Sequence, residues 1–275
     1  MKQYKLIYSP SNILKVKANL PASKSIANRA LVIAALCGAD RCLKNLSDCD
    51  DTQAVISTLS SNDEVKNIGA AGTAMRFLTA YYAISSLSVV MTGTERMKNR
   101  PISILVDALR SLGADIEYME KEGYPPLKIN GKKLQGGELH VKGDVSSQYL
   151  SALLMIAPYT TEGIKLVIEG DLVSRPYLQM TLSLMSDFGI CYTWKENIIE
   201  IKPSEYKPKE FTVENDWSAA SYWYSVVALS GNISIELDFL NKESLQGDSY
   251  LKELYKPLGV ETEFVGSGVK LYKNN

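Results

Sequence analysis

Three stretches of this chain are variations on one pattern, and that internal repetition restricts its fold more than any other feature. Residues 100–118 (RPISILVDALRSLGADIEY), 175–194 (RPYLQMTLSLMSDFGICYTW) and 247–264 (GDSYLKELYKPLGVETEF) share one layout. In each, apolar residues recur at helical spacing, the run stops at a glycine, and an alternating, strand-like run follows. Arg-Pro opens the first two, and proline suits a first helical turn because the N–H it lacks would be unsatisfied there anyway. Gly113, Gly189 and Gly259 stand where a helix would end in left-handed backbone.

A second helix type alternates with the first. Residues 68–84 (IGAAGTAMRFLTAYYAI), 141–157 (VKGDVSSQYLSALLMIA) and 213–229 (VENDWSAASYWYSVVAL) each pass from a strand end through a small-residue turn into an Ala/Leu-rich helix. Residues 21–36 (PASKSIANRALVIAAL) begin the same way. Alternating runs such as LSVVMTGT, PLKING, IKLVIEG and NIIEIKP read as strands between the helices. The implied unit is α+β, two helices with strands between them, roughly seventy residues long and used about three times. Its first copy is abbreviated, because DDTQAVISTLSSNDEVKNIG reaches the next turn without the extra strand pair. Helices buried together with sheets outside is the packing such units favour. A simple dinucleotide-binding fold is excluded, since no GxGxxG joins a strand to a helix.

Charge narrows the function. With 30 basic and 31 acidic residues the net charge is −1, so no global field favours nucleic acid or an anionic membrane. The N-terminus lacks a secretory h-region, and the longest apolar run, ALVIAALC, is too short to span a bilayer. Cys37, Cys42, Cys49 and Cys191 have no CxxC spacing, and the sole histidine, His140, lies in a strand-like ELHVKG. These features argue against a zinc site and a Ser-His-Asp triad, and favour reduced cysteines in a cytoplasmic protein.

Four helix starts and one strand-to-helix connection carry groups suited to an anion. In the first, Lys24, Ser25 and Arg29 crowd into six positions with no carboxylate beside them. A helix starting near Ser25 would bury Ile26, Ala30, Ile33, Ala34 and Cys37 as a stripe and bring Ser25 and Arg29 onto one face. Arginine can grip a carboxylate or phosphate with two N–H groups, and lysine supplies a point charge. Taken alone, the same residues fit a capped helix with solvated cations better, since charged residues are usually exposed. GAAGTAMR brings glycines and Arg76, and GTERMKNRP brings Arg96, Lys98 and Arg100 with Glu95 to offset one of them. KGDVSSQYL offers Ser146, Ser147 and Gln148 where a cap needs a single serine. SRPY adds Ser174 and Tyr177. Each is weak alone; together they converge on a substrate with phosphate and carboxylate groups.

Read in order, LPASKSIANRALVIAAL, AAGTAMRFL, MTGTERMKNRP, VSSQYLSALLMIAP, SRPY and DWSAASY resemble the EPSP synthase (3-phosphoshikimate 1-carboxyvinyltransferase) family from about residue 20 onward. The resemblance implies two lobes made of six βαβαββ units. It also implies transfer of the enolpyruvyl group of phosphoenolpyruvate to the 5-hydroxyl of shikimate 3-phosphate, releasing phosphate, on the route to chorismate and the aromatic amino acids. Neither metal nor organic cofactor is implied. The implied partners are the two small substrates, with no nucleic acid or membrane, and the implied state is a cytoplasmic monomer.

By motif, Lys24 would touch both substrates and handle the proton, while Ser25 and Arg29 would hold the carboxylate side of the shikimate ring. The backbone at Gly72 and the side chain of Arg96 would bind phosphoenolpyruvate. Ser146, Ser147 and Ser174 would bind the 3-phosphate, Gln148 would pack on the ring, and Tyr177 would lie beside the carboxylate. The resemblance makes Lys24, Arg96 and Gln148 the catalytic set.

Three departures accompany it. Ala70 stands where the family commonly has Asn, and Phe77 where it commonly has Pro; the resemblance puts both beside the phosphoenolpyruvate pocket and bears on glyphosate sensitivity. The third is length. The family's catalytic aspartate, second-lobe glutamate and lysine, and further arginines would lie beyond residue 275, as in a truncated enzyme that is inactive if this is the entire polypeptide. The expected domains are a complete lobe of three repeats at 21–235, binding shikimate 3-phosphate, and an incomplete second lobe from 1–20 and 236–275, too short for a full core and mobile. A catalytically inactive binding lobe is the alternative of another class. The UDP-N-acetylglucosamine enolpyruvyl transferase family fits less well, since it has Lys-Asn for Lys24-Ser25 and usually a loop cysteine within TGTERMK. An RNA-processing enzyme of related fold is disfavoured by the neutral charge.

Overall fold

In the computed structural model, which describes residues 14–39, 42–230 and 233–274, the repeated glycines are the clearest link from sequence to fold. Gly113, Gly189 and Gly259 have φ of 100°, 89° and 78°, a region open to glycine and costly for other residues. After each, the next N–H donates to the carbonyl five residues back. Ala114 donates to Leu109 at 2.9 Å, Ile190 to Met185 at 3.0 Å and Val260 to Tyr255 at 3.1 Å. These closures satisfy helix-end carbonyls and turn the chain into a hairpin.

The elements follow in chain order. First come β1 (Leu14–Ala18), α1 (Lys24–Leu36), β2 (Leu43–Lys44) and α2 (Asp50–Ser60). One full unit comprises β3 (Val65–Asn67), α3 (Gly72–Ile84), β4 (Ser88–Thr92), the short α4 (Glu95–Lys98), α5 (Ser103–Ser111), β5 (Asp115–Tyr118) and β6 (Leu127–Asn130). The next comprises β7 (Gly137–Lys142), α6 (Ser147–Ile156), β8 (Ile164–Glu169), α7 (Arg175–Asp187), β9 (Tyr192–Lys195) and β10 (Ile198–Ile201). Then follow β11 (Phe211–Thr212), α8 (Trp217–Leu229), β12 (Ile233–Leu237), α9 (Leu251–Leu254), β13 (Val260–Val265) and β14 (Gly268–Lys273).

Three sheets share one topology, with strand orders β3-β4-β6-β5, β7-β8-β10-β9 and β1-β12-β14-β13. In each, the first two strands are parallel across a helical crossover and the last two form an antiparallel hairpin. The third copy is split, since its first strand, β1, precedes residues 22–213 and its remainder follows them. The abbreviated first copy is split in the opposite sense. Its opening strand is β11, paired in parallel with β2, so that copy has a parallel pair but no hairpin.

The chain divides into a larger unit, Ala22–Val213, and a smaller one of Met1–Pro21 with Glu214–Asn275, of which residues 1–13, 231–232 and 275 lie outside the described residues. The second crossing therefore falls at Val213, not at the expected residue 235. The reason is packing: Trp217, Ala220, Tyr224 and Val227 of α8 form one core with Ile235, Leu237, Val260, Val269 and Leu271 of the smaller unit's sheet. The expectation that this segment has too little chain for a core is thus corrected. The third helical copy, expected over 247–259, is broken into 3-10 turns at Gly247–Tyr250 and Lys256–Leu258 flanking α9. Pro257, without an N–H, does not extend the α pattern.

In the larger unit the Ala/Leu-rich helices are central. Every residue from Ile26 to Ala34 in α1 and from Tyr149 to Ile156 in α6 is buried, as is Gly72 to Ala80 in α3. This corrects the expected single stripe on α1, from which Cys37 in any case departs as a half-exposed C-cap. A helix apolar on all sides is stable only when surrounded, each large apolar side chain contributing about 1.5–3 kcal/mol on burial. The helices that follow, such as α5, bury a stripe alone: Leu105, Val106 and Leu109. Among the described residues no helix is long and apolar enough to cross a membrane.

The glycine closures give a direct test. At Gly113 an added β-carbon has open space, with its nearest neighbour 4.0 Å away, so Gly113→Ala isolates the backbone cost. We expect a loss of about 1–2 kcal/mol in urea unfolding, with Gly113→Asn milder; an unchanged midpoint for alanine would refute the closure's role.

Candidate functional site

The first helix start is capped by Ser23, whose hydroxyl accepts from the Ile26 N–H at 3.5 Å. Lys24 is therefore the first helical residue, exposed and without a hydrogen bond or ion pair among the described residues. One turn on, Arg29 is 3% exposed. Its Nε donates to Thr181 Oγ1 at 2.7 Å, Nη1 to the Ser25 carbonyl at 2.8 Å and Nη2 to Ser151 Oγ at 3.1 Å. All three acceptors are neutral. Ser25 thus meets Arg29 through its backbone, leaving its hydroxyl out of that contact. Burial lowers the Arg29 pKa to about 10, because removing the cation from water is uncompensated by any carboxylate.

These bonds bring together the sixth residue of α1, the fifth of α6 and the seventh of α7, and Ser151 and Thr181 also bond each other at 2.8 Å. The Phe77 ring of α3 lies 5.3 Å from the same guanidinium, and the Tyr177 ring 5.9 Å. At the next level out, Gln148 Nε2 donates to Thr73 Oγ1 at 3.2 Å, joining the second residues of α6 and α3. Four helices therefore start at one end of the larger unit, where their uncovered N–H groups and positive dipole ends favour an anion.

Cations rim that end. Gly72 opens α3 with no side-chain cap, and a β-carbon there would overlap the Arg100 guanidinium. Arg76 is held inside, Nη1 donating to the Gly72 carbonyl and Nη2 to the Pro101 carbonyl, each at 3.1 Å. Burial, with Arg76 and Arg96 nearby, pulls the Arg100 pKa down, and Asp51 opposes this. Arg96 on α4 is exposed. Lys98, counted with it in the sequence, is committed to Glu120 at 2.9 Å and Glu95 at 3.6 Å. No ion pair engages Lys24, Arg29, Arg76, Arg96 or Arg100 among the described residues.

At α6 the two serines divide their tasks. Ser146 accepts from the Gln148 N–H at 3.3 Å as the cap, while Ser147, half-buried, has no side-chain hydrogen bond. Ser174 precedes α7 without a capping bond, and Tyr177 is 40% exposed one turn on. His140 lies elsewhere, on β7 between Glu138 at 2.8 Å and Glu169 at 3.2 Å. No group of three His, Cys, Asp or Glu suited to a metal ion occurs among the described residues.

The structure thus gathers the starts of α1, α3, α6 and α7, all within Ala22–Val213. Sequence reasoning passed over Thr73, Ser151 and Thr181, and named Arg76 and Arg100 among the anion-suited cations without giving either a substrate role. A signal existed for two of them: Ser151 and Thr181 are hydroxyls set in apolar helical runs, where a buried polar group requires a partner. Phe77, expected beside the phosphoenolpyruvate pocket, is fully buried with its ring toward Arg29.

Comparison with known proteins adds the family. The family model described as EPSP synthase (3-phosphoshikimate 1-carboxyvinyltransferase) matches residues 55–268. The chain is 54% identical over 270 residues to the 3-phosphoshikimate 1-carboxyvinyltransferase of Bacteroides fragilis (strain YCH46), covering 98% of this chain and 66% of that protein. To its counterpart from Photobacterium damsela subsp. piscicida it is 39% identical over 288 residues, covering 94% and 67%. Among solved structures, an EPSP synthase from Acinetobacter baumannii superposes with a TM-score of 0.77 at 18% identity, covering 96% of this chain and 66% of that one; this likeness concerns the fold alone.

A cation buried without a counter-ion costs the fold something when no ligand is bound. Replacing Arg29 with methionine leaves Ser151 and Thr181 paired with each other, and Thr181 with the Tyr177 carbonyl at 2.8 Å. We expect Arg29→Met to be as stable as the parent, or more stable by up to about 2 kcal/mol, in ligand-free urea unfolding. A loss above that size would show that the guanidinium supports the fold.

Proposed function

Because the chain belongs to the EPSP synthase family, we propose that its larger unit binds shikimate 3-phosphate and phosphoenolpyruvate at the joined helix starts and serves enolpyruvyl transfer between them. The chain spans 66% of the length of its Bacteroides fragilis relative, and the site residues proposed here all fall in Ala22–Val213. The reaction protonates the phosphoenolpyruvate alkene at its methylene carbon. The 5-hydroxyl oxygen then bonds to the adjacent carbon as its proton leaves, giving a tetrahedral intermediate that loses phosphate and a proton of the new methyl group, which restores the alkene. Positioned cations suit such chemistry, since negative charge is held and moved at every stage.

Lys24, exposed and unpaired, touches both substrates and handles the proton. Ser25 and Arg29 hold the shikimate carboxylate side, with Tyr177 beside it. Ser146, Ser147 and Ser174 take the 3-phosphate, and Gln148, steadied by Thr73, packs on the ring. The Gly72 backbone and Arg96 bind phosphoenolpyruvate. We place this work in the cytoplasm and in a monomer. The observation that carries the reading is Arg29, a buried cation whose protein partners are all neutral.

Calorimetric titration with shikimate 3-phosphate tests it. Arg29→Lys keeps the charge but loses the fork, so affinity should fall about tenfold or more, and Ser147→Ala should weaken binding by several-fold. Equal affinity in parent and Arg29→Lys would defeat the assignment. A second reading, binding without turnover, draws on the confinement of these residues to one unit. Phosphate release with both substrates present separates the two.

A further inference from the structure

The Arg29 guanidinium has five N–H groups, of which three are committed to Thr181, Ser25 and Ser151. The remaining two, one on each terminal nitrogen, are what a carboxylate can take. The three hydrogen bonds orient the guanidinium from its edges, and a ring against its face adds restraint against tilting out of that plane. Two aromatic rings lie close enough. Tyr177, at 5.9 Å, is 40% exposed and stands on the helix start that meets solvent. Phe77, at 5.3 Å, is fully buried in the middle of α3, between Arg76 and Leu78, which are buried too. An aromatic face attracts a cation most strongly where water is excluded, and here no carboxylate competes for it.

We propose that Phe77 is a positioning residue: its ring face holds the Arg29 guanidinium so that the two uncommitted N–H groups meet the substrate carboxylate. The substrate part of this rests on the function proposed above; the contact itself does not. Phe77 also joins two halves of the site, because α3 presents Gly72 at its start and, one turn on, Arg76 back to Gly72 and the next residue, Phe77, to Arg29. An aliphatic side chain of similar volume would fill the same space without the attraction.

The test uses Phe77→Leu and a series of progressively fluorinated phenylalanines at position 77, near-constant in shape but with a weakening ring face. Two quantities are read on the chain: calorimetric affinity for shikimate 3-phosphate, and hydrogen exchange of the Arg29 Nε–H by nitrogen-15 NMR without ligand. Affinity should fall stepwise with fluorination, to about 5- to 30-fold below the parent. Nε–H exchange should quicken in parallel while α3 amide protection stays constant. A ring that merely packs would leave both flat across the fluorinated series, and that result overturns the proposal. If the parent does not bind but Nε–H exchange still climbs with fluorination, the substrate reading falls and the Phe77–Arg29 contact stands.

Discussion

A guanidinium buried among neutral acceptors sets the terms for the larger unit. Arg29 draws one partner from its own helix, one from α6 and one from α7, and a ring from α3. That set can be assembled only if the four helices run side by side and start at the same end. The arrangement has an electrostatic consequence. It places four positive dipole ends beside Lys24, Arg76, Arg96 and Arg100 with little negative charge to answer them. Such an end is poorly satisfied by the protein's own charges.

The repeat is the device that makes the convergence possible. In a βαβαββ unit the crossover helix begins just after a strand edge, so stacking such units brings their crossover helices, with small residues at each start, to a common end. α1, α3 and α6 are all of this type. α7, the second helix of its unit, joins them through Thr181. Splitting the copy that holds β1 makes the chain cross between units twice, whereas the split copy of β11 lies wholly within the larger unit. The crossings fall where core membership changes, at Pro21 and Val213, and Trp217 decides the second by packing with the smaller unit's sheet.

Local chemistry was readable from the chain because it depends on near neighbours. Gly113, Gly189 and Gly259 ended their helices as their positions required, since the left-handed turn is a property of one residue and the carbonyls just before it. Ser146 and Asp216 capped theirs for the same reason. Less legible were features whose partners lie far along the chain. Lys98 looked like a member of a free basic cluster until Glu120 was brought to it. Nothing adjacent to Phe77 indicates that its ring would meet Arg29.

By itself, then, the sequence determined the repeated unit, the ends of most helices, and the presence of anion-compatible groups at their starts, because these rest on backbone geometry and caps within a few residues. The tertiary structure alone decided which of those cations are free, which unit owns α8, and that Arg29 is enclosed by Ser151, Thr181 and Phe77. Those outcomes depend on burial and on contacts between residues distant in the chain, 22 positions apart for Lys98 and Glu120 and 48 to 152 apart around Arg29, and desolvation, which gives such contacts their strength, exists only once the helices have packed.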